Sequence, residues 1–213
     1  MRLLDRLQAS GARLTVVGAG AGWGKTTLLV QWRASDEKRF AWLSLEPADN
    51  DPVRFWTYVI TALRTVIPAF GEDGFGLLRT PGVNIEETAV PALLNELEAP
   101  GVPLVLVLDD YHAITSNAVH SQLGVFLEGL PASVRLVIAS RSDPPLPLER
   151  LRACGELVEV HADELRFDDV ESSTFLNDLL GLKLSAEDIE RLHTRTEGWA
   201  AGLYLAVLSP RPA

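Results

Sequence analysis

Lys25, Thr26, Asp109, Asp110 and Arg141 are the side chains whose types and settings could handle a phosphate group. Lys25 and Thr26 close the run Gly18-Ala19-Gly20-Ala21-Gly22-Trp23-Gly24-Lys25-Thr26-Thr27. A loop with so few side chains can wrap its backbone N–H groups around phosphate oxygens, and a helix starting at Lys25 adds the positive end of its dipole. In such a P-loop Lys25 is a point charge for the β- and γ-phosphates, and the Thr26 hydroxyl sits on a Mg²⁺ ion. The predicted binding set is Gly20, Ala21, Gly22, Trp23, Gly24, Lys25, Thr26 and Thr27.

One position departs from the general pattern G-x-x-x-x-G-K-[ST]: its first glycine falls on Ala19, between Gly18 and Gly20. Alanine restricts the backbone there to negative φ but leaves room for phosphate. A dinucleotide fingerprint fits less well. Gly18 and Gly20 match G-x-G-x-x-G, but the third glycine falls on Trp23, and that motif has no use for a lysine at the helix start.

Asp109 and Asp110 end the run Leu104-Val105-Leu106-Val107-Leu108. Carboxylates at the tip of a buried strand are costly unless something there attracts negative charge. A Mg²⁺ ion and an attacking water would. Asp109 therefore reads as the residue holding the metal, mostly through its waters, and Asp110 as the one orienting or deprotonating the water. Arg141 follows the apolar run Val134–Ser140, and a guanidinium at that strand end can stabilise charge on a γ-phosphate. His112 reads as a structural loop histidine, and Asp49 as a cap or turn residue.

Strands and helices must bring these groups together. Arg13–Val17 is an apolar, β-branched strand, and Leu28, Leu29 and Trp32 form the inner face of the helix after the loop. Leu3, Leu4 and Leu7 recur at helical spacing ahead of it. Further strands are predicted at Phe40–Leu45, Pro103–Asp109, Val134–Ser140 and Leu157–Val160. The third has five consecutive apolar residues without alternation, which implies a strand covered on both faces, as in a parallel sheet with helices on each side.

Between the strands, Asp51 caps and Pro52 opens a helix with Val53, Trp56, Ile60, Leu63 and Ile67 on one face. Residues 68–82, rich in Gly, Pro and acid, are predicted to be the least ordered connection. Helices follow at about Asn84–Leu97 and from Val119 to Gly129. Asp143-Pro144-Pro145-Leu146-Pro147 makes a stiff turn. After Phe167 no strand pattern remains: Asp168 with Glu171, and Ser185 with Asp188, mark helix starts, and a last helix around Trp199–Leu208 stops at Pro210-Arg211-Pro212. The expected architecture is α/β, three αβα layers around a mainly parallel five-stranded sheet over residues 1–167, with part of a small helical subdomain at 168–213.

The composition narrows the function classes. With 213 residues, 47% apolar and 23% charged, the chain has the make-up of a globular domain. A net charge of −10 argues against nucleic-acid binding by this segment, which needs a basic surface. Cys154 is the only cysteine, so no intrachain disulfide can form, and a reducing cytoplasm fits. No apolar run reaches membrane-spanning length, and the N-terminus lacks the apolar core of a signal peptide.

With these pieces placed, the sequence resembles the nucleotide-binding domain of the large LuxR-type transcriptional regulators, the MalT-like members of the STAND class of signal-transducing ATPases. The residues that carry the likeness are Ala19 through Thr27, similar to an Ala-Pro-Ala-Gly-aromatic-Gly-Lys-Thr-Thr form with Gly20 in place of the proline, which accounts for Ala19. Others are Trp42–Leu45, Asp49-Asn50-Asp51, Leu106–His112, Ser140-Arg141, Leu165–Phe167 and Glu197–Leu203. The resemblance implies ATP or ADP with Mg²⁺ as ligands, and slow hydrolysis that resets a switch. It also implies self-association of a full-length regulator that continues past Ala213 and binds DNA only through a C-terminal helix-turn-helix absent from this chain. Lys25, Asp110 and Arg141 would serve turnover, and Thr26 and Asp109 the metal. The rivals are a module that holds nucleotide without hydrolysis and a phosphotransferase on the same fold.

Overall fold

The computed structural model describes residues 2–98 and 103–208. Helix α1 (Arg2–Ala9) leads into strand β1 (Leu14–Gly18), and the glycine loop joins β1 to α2 (Lys25–Ser35). Then come β2 (Arg39–Ser44), α3 (Pro52–Arg64), α4 (Glu72–Leu78) and α5 (Ala89–Glu98). Next are β3 (Leu104–Asp109), α6 (Asn117–Gly129), β4 (Val134–Ser140), α7 (Leu148–Ala153) and β5 (Leu157–His161). The described residues end in α8 (Asp169–Ser173), which runs on as a π-helical turn to Leu179, then α9 (Ala186–Thr196) and α10 (Ala200–Leu208). The expected stop at Pro210-Arg211-Pro212 lies outside the described residues.

The five strands lie in the order β2-β3-β4-β1-β5, and every pairing between neighbours is parallel. Parallel strands need crossover helices, and these cover both faces. Leu104, Leu106 and Leu108 of β3 pack with α3, α5 and α6 through Trp56, Val59, Leu93, Leu123 and Phe126. Val105 and Val107 face the opposite layer, made by Leu7 of α1 and Leu28, Leu29 and Trp32 of α2. All six residues of β3 are buried, which is why its sequence shows no alternation. A separate cluster centred on Leu176, Ile189 and Leu203 holds the C-terminal helices together.

Several local expectations are corrected. Residues 68–82 contain α4, whose Gly74 packs so closely on Leu93 that a Cβ there would lie 2.6 Å from Leu93 Cδ2. Its two glycines hide the helical pattern. Helix α5 begins at Ala89 rather than Asn84 because Pro91 is tolerated only in a first turn, where its missing N–H would have had no helical partner. In α3 the buried face runs through Phe55, Trp56, Val59, Ile60 and Leu63, while Val53 is 40% exposed and Ile67 lies past the helix end. After the proline turn the chain forms α7, with Leu148 and Leu151 in the core. The caps are as expected: Asp51 accepts from Arg54 N, Asp168 and Glu171 form a capping box, and Ser185 accepts from Asp188 N.

Candidate functional site

In a parallel sheet all strands end at one edge, and ligands of such folds collect there. The order places β4 between β1 and β3, so Arg141 leaves the sheet between the glycine loop and the Asp109-Asp110 pair. Backbone ladders extend past the strands and fix this edge: Ala19 N donates to Ser140 O at 3.1 Å, and Leu45 N donates to Asp109 O at 2.9 Å.

The loop turns at Gly22 (φ 74°) and Gly24 (φ 78°), the left-handed region that favours glycine. Gly24 is the cap of α2, no side chain caps that helix, and its first turn carries no acid. Its leading N–H groups are therefore free for an outside acceptor, with the dipole behind them. Ala21, Gly22, Gly24, Lys25, Thr26, Thr27, Asp110 and Arg141 line a cavity of about 260 Å³. Gly20 and Trp23 are not among the lining residues: Gly20 receives the lysine on its carbonyl, and Trp23 packs on the apolar layer beneath. A larger depression, about 500 Å³, lies near the start of β2 around Ser35–Arg39, remote from this edge and from any group considered above.

Asp109 is 3% exposed. Its Oδ2 accepts from the Thr26 hydroxyl at 2.9 Å, and its Oδ1 accepts from Asp110 N at 3.0 Å. This bond joins two motifs 83 positions apart in sequence, across the width of β4. Asp110 has a left-handed backbone (φ 57°), unusual for a side-chain-bearing residue, and its side chain is half exposed in the cavity wall. His112 Nδ1 is buried without a hydrogen-bond partner, 3.8 Å from Asp110 Oδ1.

Lys25 is 7% exposed. Its ammonium donates to the carbonyls of Ala19 and Gly20, both at 2.8 Å, which leaves one N–H for a ligand in the cavity it lines. Burial lowers its pKa below the usual lysine value; the charge of Asp110 opposes that shift, Arg141 adds to it, and Asp109 opposes it more weakly. The four groups thus lie within electrostatic reach of one another.

Asp49 sits in its own turn, as the cap reading expects. It is 1% exposed, accepts from Glu46 N at 2.9 Å and pairs with Arg54 Nε at 2.8 Å. Two contacts were not foreseen. Asn50 joins the turn after β2 to the turn after Asp110: its Nδ2 donates to Ala113 O at 2.8 Å, and its Oδ1 accepts from Thr115 N and Ser116 N. Trp199 Nε1 donates to Ala21 O at 3.1 Å, and Ala201 N donates to Gly22 O at 3.1 Å, so the start of α10 rests on the glycine loop. Both residues lie in motifs visible in the sequence, but their partners do not.

Thr26 and Asp109 offer two hard oxygen donors side by side. That donor set suits Mg²⁺, which takes one or two protein oxygens and completes its shell with water and phosphate. Among the described residues there is no cluster of three or more His, Cys, Asp or Glu that could hold a metal by themselves, and no helix is long and apolar enough to cross a membrane.

No family model matches the chain. It is 36% identical over 214 residues to the serine/threonine-protein kinase PknK of Mycobacterium tuberculosis, covering 99% of this chain and 19% of PknK. It is also 36% identical over 211 residues to the HTH-type transcriptional regulator MalT of Yersinia enterocolitica, covering 99% of this chain and 23% of MalT. The chain therefore spans about a fifth of the relatives it matches. Among solved structures, a STAND protein with a tetratricopeptide repeat sensor from Pyrococcus horikoshii superposes with a TM-score of 0.73 at 18% identity, covering all of this chain and 30% of that one. The Walker-type ATPase of Pyrococcus abyssi gives 0.54 at 16% identity, covering 98% and 66%. Along nearly its whole length the chain is thus similar in sequence to one segment of PknK and of MalT, and it shares its fold with a STAND protein and a Walker-type ATPase.

Proposed function

We propose that this chain is the ATP-binding, slowly hydrolysing switch module of a longer MalT-like transcriptional activator. The observation that carries the reading is the 2.9 Å bond from Thr26 to Asp109, which brings the phosphate loop and the acidic strand tip together at one sheet edge. PknK and MalT bear names for different activities yet each matches over a stretch of this length, which favours a module common to both over a kinase or DNA-binding function in the segment itself. Residues 1–167 would be the nucleotide-binding unit and 168–213 the beginning of a helical subdomain, with DNA contact and self-association left to other parts of the protein.

In this reading the free N–H groups of the loop and of the α2 start hold the β- and γ-phosphates, and Lys25 exchanges loop carbonyls for phosphate oxygens. Mg²⁺, held by Thr26 and by Asp109 through water, would neutralise charge on the phosphates. Asp110 orients a water and accepts its proton, and Arg141 stabilises the charge that develops on the transferred phosphoryl group. ATP and ADP then differ in what they offer Arg141 and Asp110, and a switch needs only such differential binding.

Asp110→Asn tests the assignment, because it removes the base but keeps the shape. The variant should bind ATP with unchanged affinity by calorimetry and lose about a hundredfold or more in single-turnover phosphate release, the low end of the usual contribution of a positioned base being about 10². Release at the wild-type rate would take Asp110 out of its role. Label from [γ-³²P]ATP appearing on a small acceptor rather than in phosphate would favour the phosphotransferase reading, and binding without any release the non-hydrolysing one.

A further inference from the structure

The start of α10 touches the glycine loop through residues that do not line the cavity. Ala21 and Gly22 line the cavity, whereas Trp199 and Ala201 are not among its lining residues. The two loop carbonyls that face α10 are consecutive, Ala21 O and Gly22 O, each receiving a bond of 3.1 Å. No peptide bond among the described residues is cis. In a planar trans peptide the carbonyl and the following N–H point in opposite directions. Holding these carbonyls toward α10 therefore turns the N–H groups of Gly22 and Trp23 away from α10.

The packing leaves little freedom for another arrangement. A Cβ on Gly22 would lie 2.5 Å from Ala201 Cβ and 3.2 Å from Trp199 Nε1. Gly202 is pressed against the Trp199 ring, where a Cβ would meet Cε3 at 2.6 Å, so the indole is held from behind. One turn earlier, Phe167 N donates to Gly198 O at 3.0 Å, and a Cβ on Gly198 would meet Phe167 O at 2.5 Å, which fixes the backbone that presents Trp199. The indole is thus a rigid donor at the end of a braced turn, aimed at one carbonyl 178 positions earlier.

We propose that Trp199, with the Ala201 amide, is a positioning element for the phosphate site: it orients the loop so that the Gly22 and Trp23 amides are already aimed at a polyphosphate. This deepens the nucleotide-binding reading and rests on it. A loop whose competent arrangement is only partly populated binds more weakly by that fraction. By linkage, anything that pulls the α9–α10 turn off the loop lowers phosphate affinity, and bound phosphate holds the turn in place.

The test is Trp199→Phe in the 213-residue chain, which keeps a ring and removes the N–H donor. Binding of ATP and of inorganic tripolyphosphate, both with Mg²⁺, is measured by calorimetry beside the wild type. Loss of one neutral hydrogen bond corresponds to about three- to tenfold in affinity, and the loss should be the same for both ligands because it acts on the phosphate loop. A loss for ATP alone would mean that Trp199 touches the nucleoside, and equal affinities would mean that the bond orients nothing; either overturns the proposal. Backbone ¹⁵N relaxation of the ligand-free proteins gives a readout independent of binding: residues 21–23 should be more mobile in the variant at an unchanged α-helical circular dichroism. If the wild type binds neither ligand, the nucleotide reading falls, and unchanged relaxation at residues 21–23 would separately overturn the positioning role of Trp199.

Discussion

Replacing Lys25 tests both how the loop is held and what it holds. The ammonium, 7% exposed, donates two bonds of 2.8 Å to Ala19 O and Gly20 O. Hydrogen bonds from a charged donor contribute about 1.5–3 kcal/mol each, so the pair supplies about 3–6 kcal/mol. Against this stands the cost of keeping the ammonium out of water, the largest influence on its pKa. A net loss of about 1–3 kcal/mol is expected for Lys25→Met, which retains most of the apolar stem and lacks the donors. For a chain of this length each kcal/mol moves Tm by about 2–4 °C, so the ligand-free variant should melt about 2–12 °C lower. Calorimetric titration with ATP and Mg²⁺ should meanwhile give no measurable heat of binding for Lys25→Met or Lys25→Ala. An unchanged Tm would show that the two carbonyl bonds contribute nothing to the fold. An unchanged ATP affinity would be worse, because it would remove Lys25 from the site and with it the assignment of the loop to phosphate.

Two further outcomes follow from the same geometry. Asn50→Ala removes the bonds to Ala113 O, Thr115 N and Ser116 N, which hold the turn that begins at Asp110, and should cost about 1.5–3 kcal/mol in urea unfolding. It should also lower phosphate release more than ATP affinity, and a variant with the wild-type urea midpoint and turnover would refute the role. The second concerns pH. Phosphate favours the protonated form of Lys25, and burial holds its pKa below 10.5, so affinity should be full near neutrality and fall as pH rises through that lowered pKa, before an exposed lysine would titrate. Dissociation constants from pH 7.5 to 10 check this, and an affinity flat across the range would contradict it.

The groups of the candidate site were legible because each sits in a distinctive local pattern. A phosphate loop must be stripped of side chains and end in a helix, so Gly20–Thr27 announces itself. Strand β3 is buried on both faces, which makes its sequence an unbroken apolar run and leaves Asp109 and Asp110 conspicuous at its end. Helix α4 was hidden because its two glycines weaken the helical pattern and the packing that keeps it, Gly74 against Leu93, is tertiary. The Asn50 and Trp199 bonds were hidden for another reason. Their residues lie in recognisable motifs, but a motif names no partner, and these partners lie 63 and 178 positions away.

The order of the strands decides why distant bonds should matter here. With β4 inserted between β1 and β3, the loop and the acidic pair cannot touch through their own strands, and the contact that spans the gap is the Thr26–Asp109 bond. Other groups at the edge are held from outside the sheet: the turn that begins at Asp110 by Asn50, and the Ala21 carbonyl by Trp199. A ligand with several phosphate oxygens would replace the lysine's partners and leave those of Trp199 in place. In the proposed reading Lys25 changes partners while the α9–α10 turn keeps its bonds to the loop. A signal that moved that turn would reach the phosphates without touching a single side chain of the cavity.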